Sequence, residues 1–174
     1  ILTLTTYRLL EQRSDHMEQR PSVSEYGSVD PAPPLEDSSI QHLRDVLLNE
    51  NEKMFERMRC VFKLRNIRTA QSCLILCQAF DSDSALLRHE LAYVLGQMQM
   101  DEALPKLIDV LQDTSEHVMV RHEAAEALGA IGNSTAIPVL EKFIHDEAIE
   151  VRESCEVALD LLDWVRKSTI AEQN

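Results

Sequence analysis

At 174 residues the chain is long enough for one domain with a real core, or for a short solenoid, and too short for two large domains. Apolar residues make up 44% but aromatics only 5%, with four glycines, and this mixture, rich in Leu, Ala and Glu, favours helices over a sheet sandwich. A formal net charge of −13 argues against nucleic acid and anionic membrane as partners, since both need a basic face, and favours a basic or polyamine-like partner.

Along the chain, residues 1–20 carry Leu2, Leu4, Leu9 and Leu10, which suit the tail of a preceding helical repeat. The chain opens on Ile1 rather than Met, so an upstream portion is expected. Residues 21–39 hold Pro21, Gly27, Pro31, Pro33 and Pro34 among serines and acidic residues, have no helical period, and predict an extended linker. Residues 40–167 are read as the repeat domain, and 168–174 as a frayed tail. No run approaches the roughly 18 apolar residues of a membrane span. Cys60, Cys73, Cys77 and Cys155 lie on apolar helical stretches without CxxC spacing, which predicts small buried side chains and suits a reducing, cytoplasmic setting.

The domain is built of repeats. Arg88-His89-Glu90-Leu91-Ala92-Tyr93-Val94-Leu95-Gly96 recurs 33 residues later as Arg121-His122-Glu123-Ala124-Ala125-Glu126-Ala127-Leu128-Gly129. The same step of 33 relates Leu104-Pro105-Lys106-Leu107-Ile108-Asp109-Val110-Leu111 to Ile137-Pro138-Val139-Leu140-Glu141-Lys142-Phe143-Ile144, each with proline in its first turn, where no amide partner is lost. Arg152-Glu153-Ser154-Cys155 follows at a step of 31, and Arg57-Met58-Arg59-Cys60 precedes at 31. Residues 40 to about 165 therefore predict four helical hairpins. Such units bury their apolar faces only by stacking, so the fold is an all-α solenoid, HEAT-like in character, with an inner row of helices.

Only the two inner repeats carry His-Glu; the outer two place Met58-Arg59 and Glu153-Ser154 there, so packing does not demand the pair. Equivalent positions on stacked helices sit one above the other, with axes about 8–10 Å apart. Two imidazoles can then share an ion held about 2 Å from each nitrogen. Adjacent residues on one helix point about 100° apart, so His89 and Glu90 do not chelate one ion together. Two neutral histidines with an oxygen ligand suit iron, zinc, nickel or copper, and residue types alone leave the metal open. Glu126 and Tyr93 each follow a histidine by four residues, where a side chain can fix the ring's tautomer, with plain packing as the competing reading. Gly96, Gly129 and Gly132 are read as helix caps or close-packing positions, and His16, His42, His117 and His145, which have no repeated carboxylate neighbour, as solvent-facing or loop residues.

The segments 86–98, 120–132 and 151–160, with the linker Ser28-Val29-Asp30-Pro31-Ala32-Pro33-Pro34, closely resemble the second half of the deoxyhypusine hydroxylases. That resemblance implies two quasi-symmetric HEAT-like halves with a di-iron centre (Fe2+) between them. The centre activates dioxygen and hydroxylates the deoxyhypusine side chain of translation initiation factor five-A. It also implies that His89 and His122 ligate one iron, that Glu90 reaches the iron of the opposite half, and that Glu123 is either a metal ligand or the substrate-binding anchor for the amine. Only one set of two His-Glu pairs is present, so a complete site needs a missing amino-terminal half or a second copy of the chain. The alternative reading is a non-catalytic HEAT-like scaffold that binds a basic protein segment on an acidic face.

Overall fold

A computed structural model describes residues 21–36 and 38–172. The chain divides into two compact units, Ile1–Pro33 and Pro34–Asn174. The helical tail expected over residues 1–20 lies outside the described residues. Residues 21–33 have no helix or strand; their one tight turn has the Gly27 amide donating to the Ser24 carbonyl at 2.9 Å and the Ser24 amide to the Ser28 carbonyl at 2.8 Å. Gly27 turns there with φ +76°, a value that favours glycine.

The described part of the second unit is all-α: α1 (Ile40–Leu47), α2 (Met54–Ile67), α3 (Ala70–Gln78), α4 (Ala85–Met98), α5 (Leu104–Gln112), α6 (Val118–Ile131), α7 (Ile137–Phe143) and α8 (Ile149–Glu172), with single 3-10 turns at Ala79–Asp81, Asp101–Ala103 and Ser134–Ala136. Consecutive helices pair as α1–α2, α3–α4, α5–α6 and α7–α8, which are the four hairpins predicted from the repeat. The second members stack on one another in the order α2, α4, α6, α8, and the α4–α6 and α6–α8 contacts are the most extensive.

Local chemistry sets the boundaries. Ser39, Thr69 and Ser84 cap α1, α3 and α4 by accepting a backbone amide two or three residues into the helix. Pro105 and Pro138 sit in the first turns of α5 and α7. α6 closes on Gly132 at φ +81°, whereas α4 closes on Gln99, which takes the left-handed conformation without being glycine. α8 is helical as far as Glu172, where the described residues end, and within it Asp163 pairs with both Arg166 and Lys167.

The arginine that opens each of three repeat motifs bonds a carbonyl of its own hairpin and also reaches the loop of the next, Arg57 through Ser82, Arg88 through Glu116 and Arg121 through Asp146. Arg57 donates to the Leu47 carbonyl and pairs with Glu50, Arg88 donates to the Ser82 carbonyl and pairs with Glu116, and Arg121 donates to the Leu111 carbonyl and pairs with Asp146. Each guanidinium thus satisfies a carbonyl that the preceding segment leaves open. Leu87, Leu91, Leu95 and Met98 of α4 and Val120, Ala124 and Leu128 of α6 are fully buried between the layers. All four cysteines are buried and unpaired, and burial pushes the Cys60 and Cys155 thiols up to about 11 and about 12. Among the described residues no helix is long and apolar enough to cross a membrane.

Candidate metal centre

α4 presents His89 and Glu90, and α6 presents His122, Glu123 and Glu126. His89 and His122 are each the fifth residue of their helix, and the two helices pack side by side. The two imidazoles consequently face each other, with ring centroids 5.8 Å apart and planes tilted by 38°.

Glu123 lies between them. Its Oε2 is 3.3 Å from His89 Nε2 and 3.9 Å from His122 Nε2. One ligand atom from each of His89, His122 and Glu123 lies within 4.8 Å of the others. Glu90 stands apart from this group: its Oε1 is 3.7 Å from the other nitrogen of His89, Nδ1. Glu123 and Glu90 thus flank opposite nitrogens of the His89 ring.

The two histidines differ in surroundings. His89 is held between Glu123 and Glu90, in that order of effect, and its pKa is pushed up to about 10. His122 Nδ1 is 3.4 Å from Glu126 Oε1 and 3.3 Å from Ser154 Oγ on α8. Its Nε2 is buried and has no hydrogen-bond partner. A buried polar atom without a partner is costly unless something binds it. With a second imidazole and a carboxylate beside it, the donor set fits a divalent transition metal.

A groove of about 400 Å³ opens beside the cluster, lined by Glu123 and Glu126 together with Tyr93, Ala127, Val157 and Leu161. His42 and His145 are exposed elsewhere, and His117 Nδ1 caps α6 by accepting the Met119 amide. Sequence reading passed over one member of the site. Ser154 occupies the place in the third motif that Glu90 and Glu123 occupy in the first two, and the register was the signal that pointed to it.

The family described as HEAT repeats matches residues 73–160. Deoxyhypusine hydroxylase of Gallus gallus is 49% identical over 157 residues, covering 90% of this chain and 52% of the relative. The human enzyme of the same name is 44% identical over 161 residues, covering 91% and 53%. That of Saccharomyces cerevisiae is 49% identical over 142 residues, covering 80% and 44%. A solved structure of human deoxyhypusine hydroxylase in complex with glycerol superposes with a TM-score of 0.81 at 44% identity, over 91% of this chain and 55% of that one. The chain spans about half the length of the curated relatives it matches.

Proposed function

The chain belongs to the HEAT-repeat family, and on that footing we propose that it supplies one half of a non-haem di-iron monooxygenase that hydroxylates the deoxyhypusine side chain of translation initiation factor five-A. The observation that carries this reading is the partnerless, buried Nε2 of His122 within reach of His89 and Glu123. His89, His122 and Glu123 would hold one Fe2+, and iron bound there supplies the activation of dioxygen.

The remaining roles belong to the chain's own groups. Glu123 turns His89 Nε2 toward the shared position, at 3.3 Å. Ser154 and Glu126 hold the far side of the His122 ring. Glu90, on the opposite side of His89, is assigned to the iron held chiefly by the other half. The groove joins carboxylates to an apolar wall, a surface that suits a long side chain ending in an amine. The other half is an amino-terminal set of repeats, or failing that a second copy of the chain, since the relatives are about twice as long. Action on a translation factor sets the work in the cytoplasm.

The test combines this chain with the complementary half, Fe2+, dioxygen and a reductant, and follows the deoxyhypusine-bearing factor by mass spectrometry. One added oxygen atom is expected. His89→Ala and His122→Ala each abolish iron loading and oxygen addition while helical circular dichroism stays unchanged. An assembly that holds iron fully and leaves the factor unaltered overturns the reading. A loss of helicity in the alanine variants marks the histidines as core residues instead.

A further inference from the structure

Ser154 is 6% exposed and stands on α8, one repeat beyond the cluster. Its hydroxyl has a single proton, and that proton goes to Glu126 Oε1 at 3.0 Å, a carboxylate that can only accept. The serine oxygen is then left as an acceptor. The atom it faces is His122 Nδ1, at 3.3 Å. Glu126 Oε1 faces the same nitrogen at 3.4 Å, and it too can only accept. Both neighbours of Nδ1 therefore call for a proton on that nitrogen.

We infer that Glu126 and Ser154 form a two-residue tautomer lock, which keeps the proton of neutral His122 on Nδ1 and leaves the lone pair of Nε2 bare for a metal ion. The carboxylate sets the direction of the serine's O–H, and the serine carries that direction across the helix interface to the ring. Nε2, buried and without a hydrogen-bond partner, is the atom so exposed. The register gives the device its place: Arg152-Glu153-Ser154 repeats Arg121-His122-Glu123 with the carboxylate shortened to a hydroxyl. Both are positioning residues, since neither belongs to the group of three ligand atoms. His89 has a different arrangement, with a carboxylate at each ring nitrogen.

The lock makes a specific demand on a double-variant experiment. In Glu126→Ala the serine proton loses its acceptor and turns to His122 Nδ1, which moves the ring's own proton to Nε2 and blocks the ligand atom. Adding Ser154→Ala removes that misdirected donor. If Glu126 acted only through its charge, the double variant would bind a cation no better than the single one.

The inference rests on reading the cluster as a metal site, and the measurements separate the two. Long-range proton–nitrogen NMR of the metal-free chain, with the His122 ring neutral, reads the tautomer directly. Titration of the same chains with Co2+ reads the affinity by its absorption. The parent chain is expected in the Nδ1–H form. Glu126→Ala is expected in the Nε2–H form with Co2+ binding weaker by about 10–100-fold, the usual effect of losing a residue that orients a ligand. Glu126→Ala/Ser154→Ala recovers part of both. A parent ring in the Nε2–H form, a Glu126→Ala chain that keeps Nδ1–H, or a double variant that binds Co2+ no better than Glu126→Ala overturns the lock. A parent chain in the Nδ1–H form that takes up no Co2+ instead overturns the metal reading.

Discussion

Gly129→Ala tests how closely α6 and α8 must approach. A Cβ on residue 129 would stand 2.8 Å from both Cα and Cβ of Ala158. Carbon atoms rest at about 3.5–4.0 Å, so the helices must part locally by roughly 0.7–1.2 Å, and backbone rather than a flexible side chain has to move. Alanine is the better helix former by about 0.5–1 kcal/mol. Overpacking costs about 1–3 kcal/mol, so the clash wins and a net loss of about 0.5–2 kcal/mol is expected. In urea the midpoint should fall by roughly 0.3–1 M. Gly96→Ala provides the graded comparison, because its Cβ would meet Ala127 at 3.0 Å and 3.2 Å and the two effects nearly cancel. Since α8 also carries Ser154, Gly129→Ala should weaken Co2+ binding as well as stability. A Gly129→Ala chain as stable as the parent, or more stable, would show that the α6–α8 spacing is soft and refute the argument.

Three further outcomes follow from the site and its clamps. Glu123→Ala is expected to weaken Co2+ binding to the isolated chain by at least the roughly 10–100-fold of an orienting residue, and Glu90→Ala to change it far less; equal losses in calorimetric titration would sink the separation of the two carboxylates. His89, pushed up to about 10, has to give up its proton to become a ligand, so metal affinity should rise from neutral pH toward pH 10; a pH-independent affinity would refute it. The Arg121 guanidinium holds Asp146 below its ordinary 3.8, so its stabilisation is present above that value and fades as pH falls through the lowered one. Asp146→Asn should therefore cost stability at neutral pH, with the gap to the parent closing under acid in denaturation curves.

The repeat architecture was legible because its markers are positional. Arg57, Arg88, Arg121 and Arg152 each anchor the start of a helix, Pro105 and Pro138 each open one, and Gly96 and Gly129 each stand where a neighbouring alanine leaves no room for a side chain. A period survives in sequence when every copy solves the same packing problem. How far α8 runs past residue 167 has no positional marker in the sequence, since neither a Pro or Gly nor a repeat residue stands there. The cluster was legible as residue types, with both histidines named from the doubled motif. That His89 and Glu90 point apart followed from helix geometry, but the place of Glu123 was left open, because a glutamate can swing to either flank of a ring and only the neighbouring helix decides. Ser154 escaped for a related reason: at its position a lost carboxylate reads as lost chemistry until the hydroxyl is seen against His122.

One geometric rule connects these residues. The third residue of each motif reaches back to the second residue of the motif before it: Glu123 of α6 meets His89 of α4, and Ser154 of α8 meets His122 of α6. By the same rule Glu90 would reach for position 58 on α2, but Met58 is buried and offers no ring nitrogen. Glu90 lies instead beside Nδ1 of its own neighbour His89. The inequivalence of two carboxylates that the repeat makes formally alike thus follows from what the preceding helix offers at the facing position. The middle copy finds a histidine behind it and joins the ligand group, and the first copy finds a thioether and is left for another use. The third copy, shortened to serine, supports the histidine it reaches. A solenoid can in this way build a metal site without a dedicated fold: stacking supplies the spacing, and substitution at two positions per repeat decides whether a helix ligates, orients or only packs.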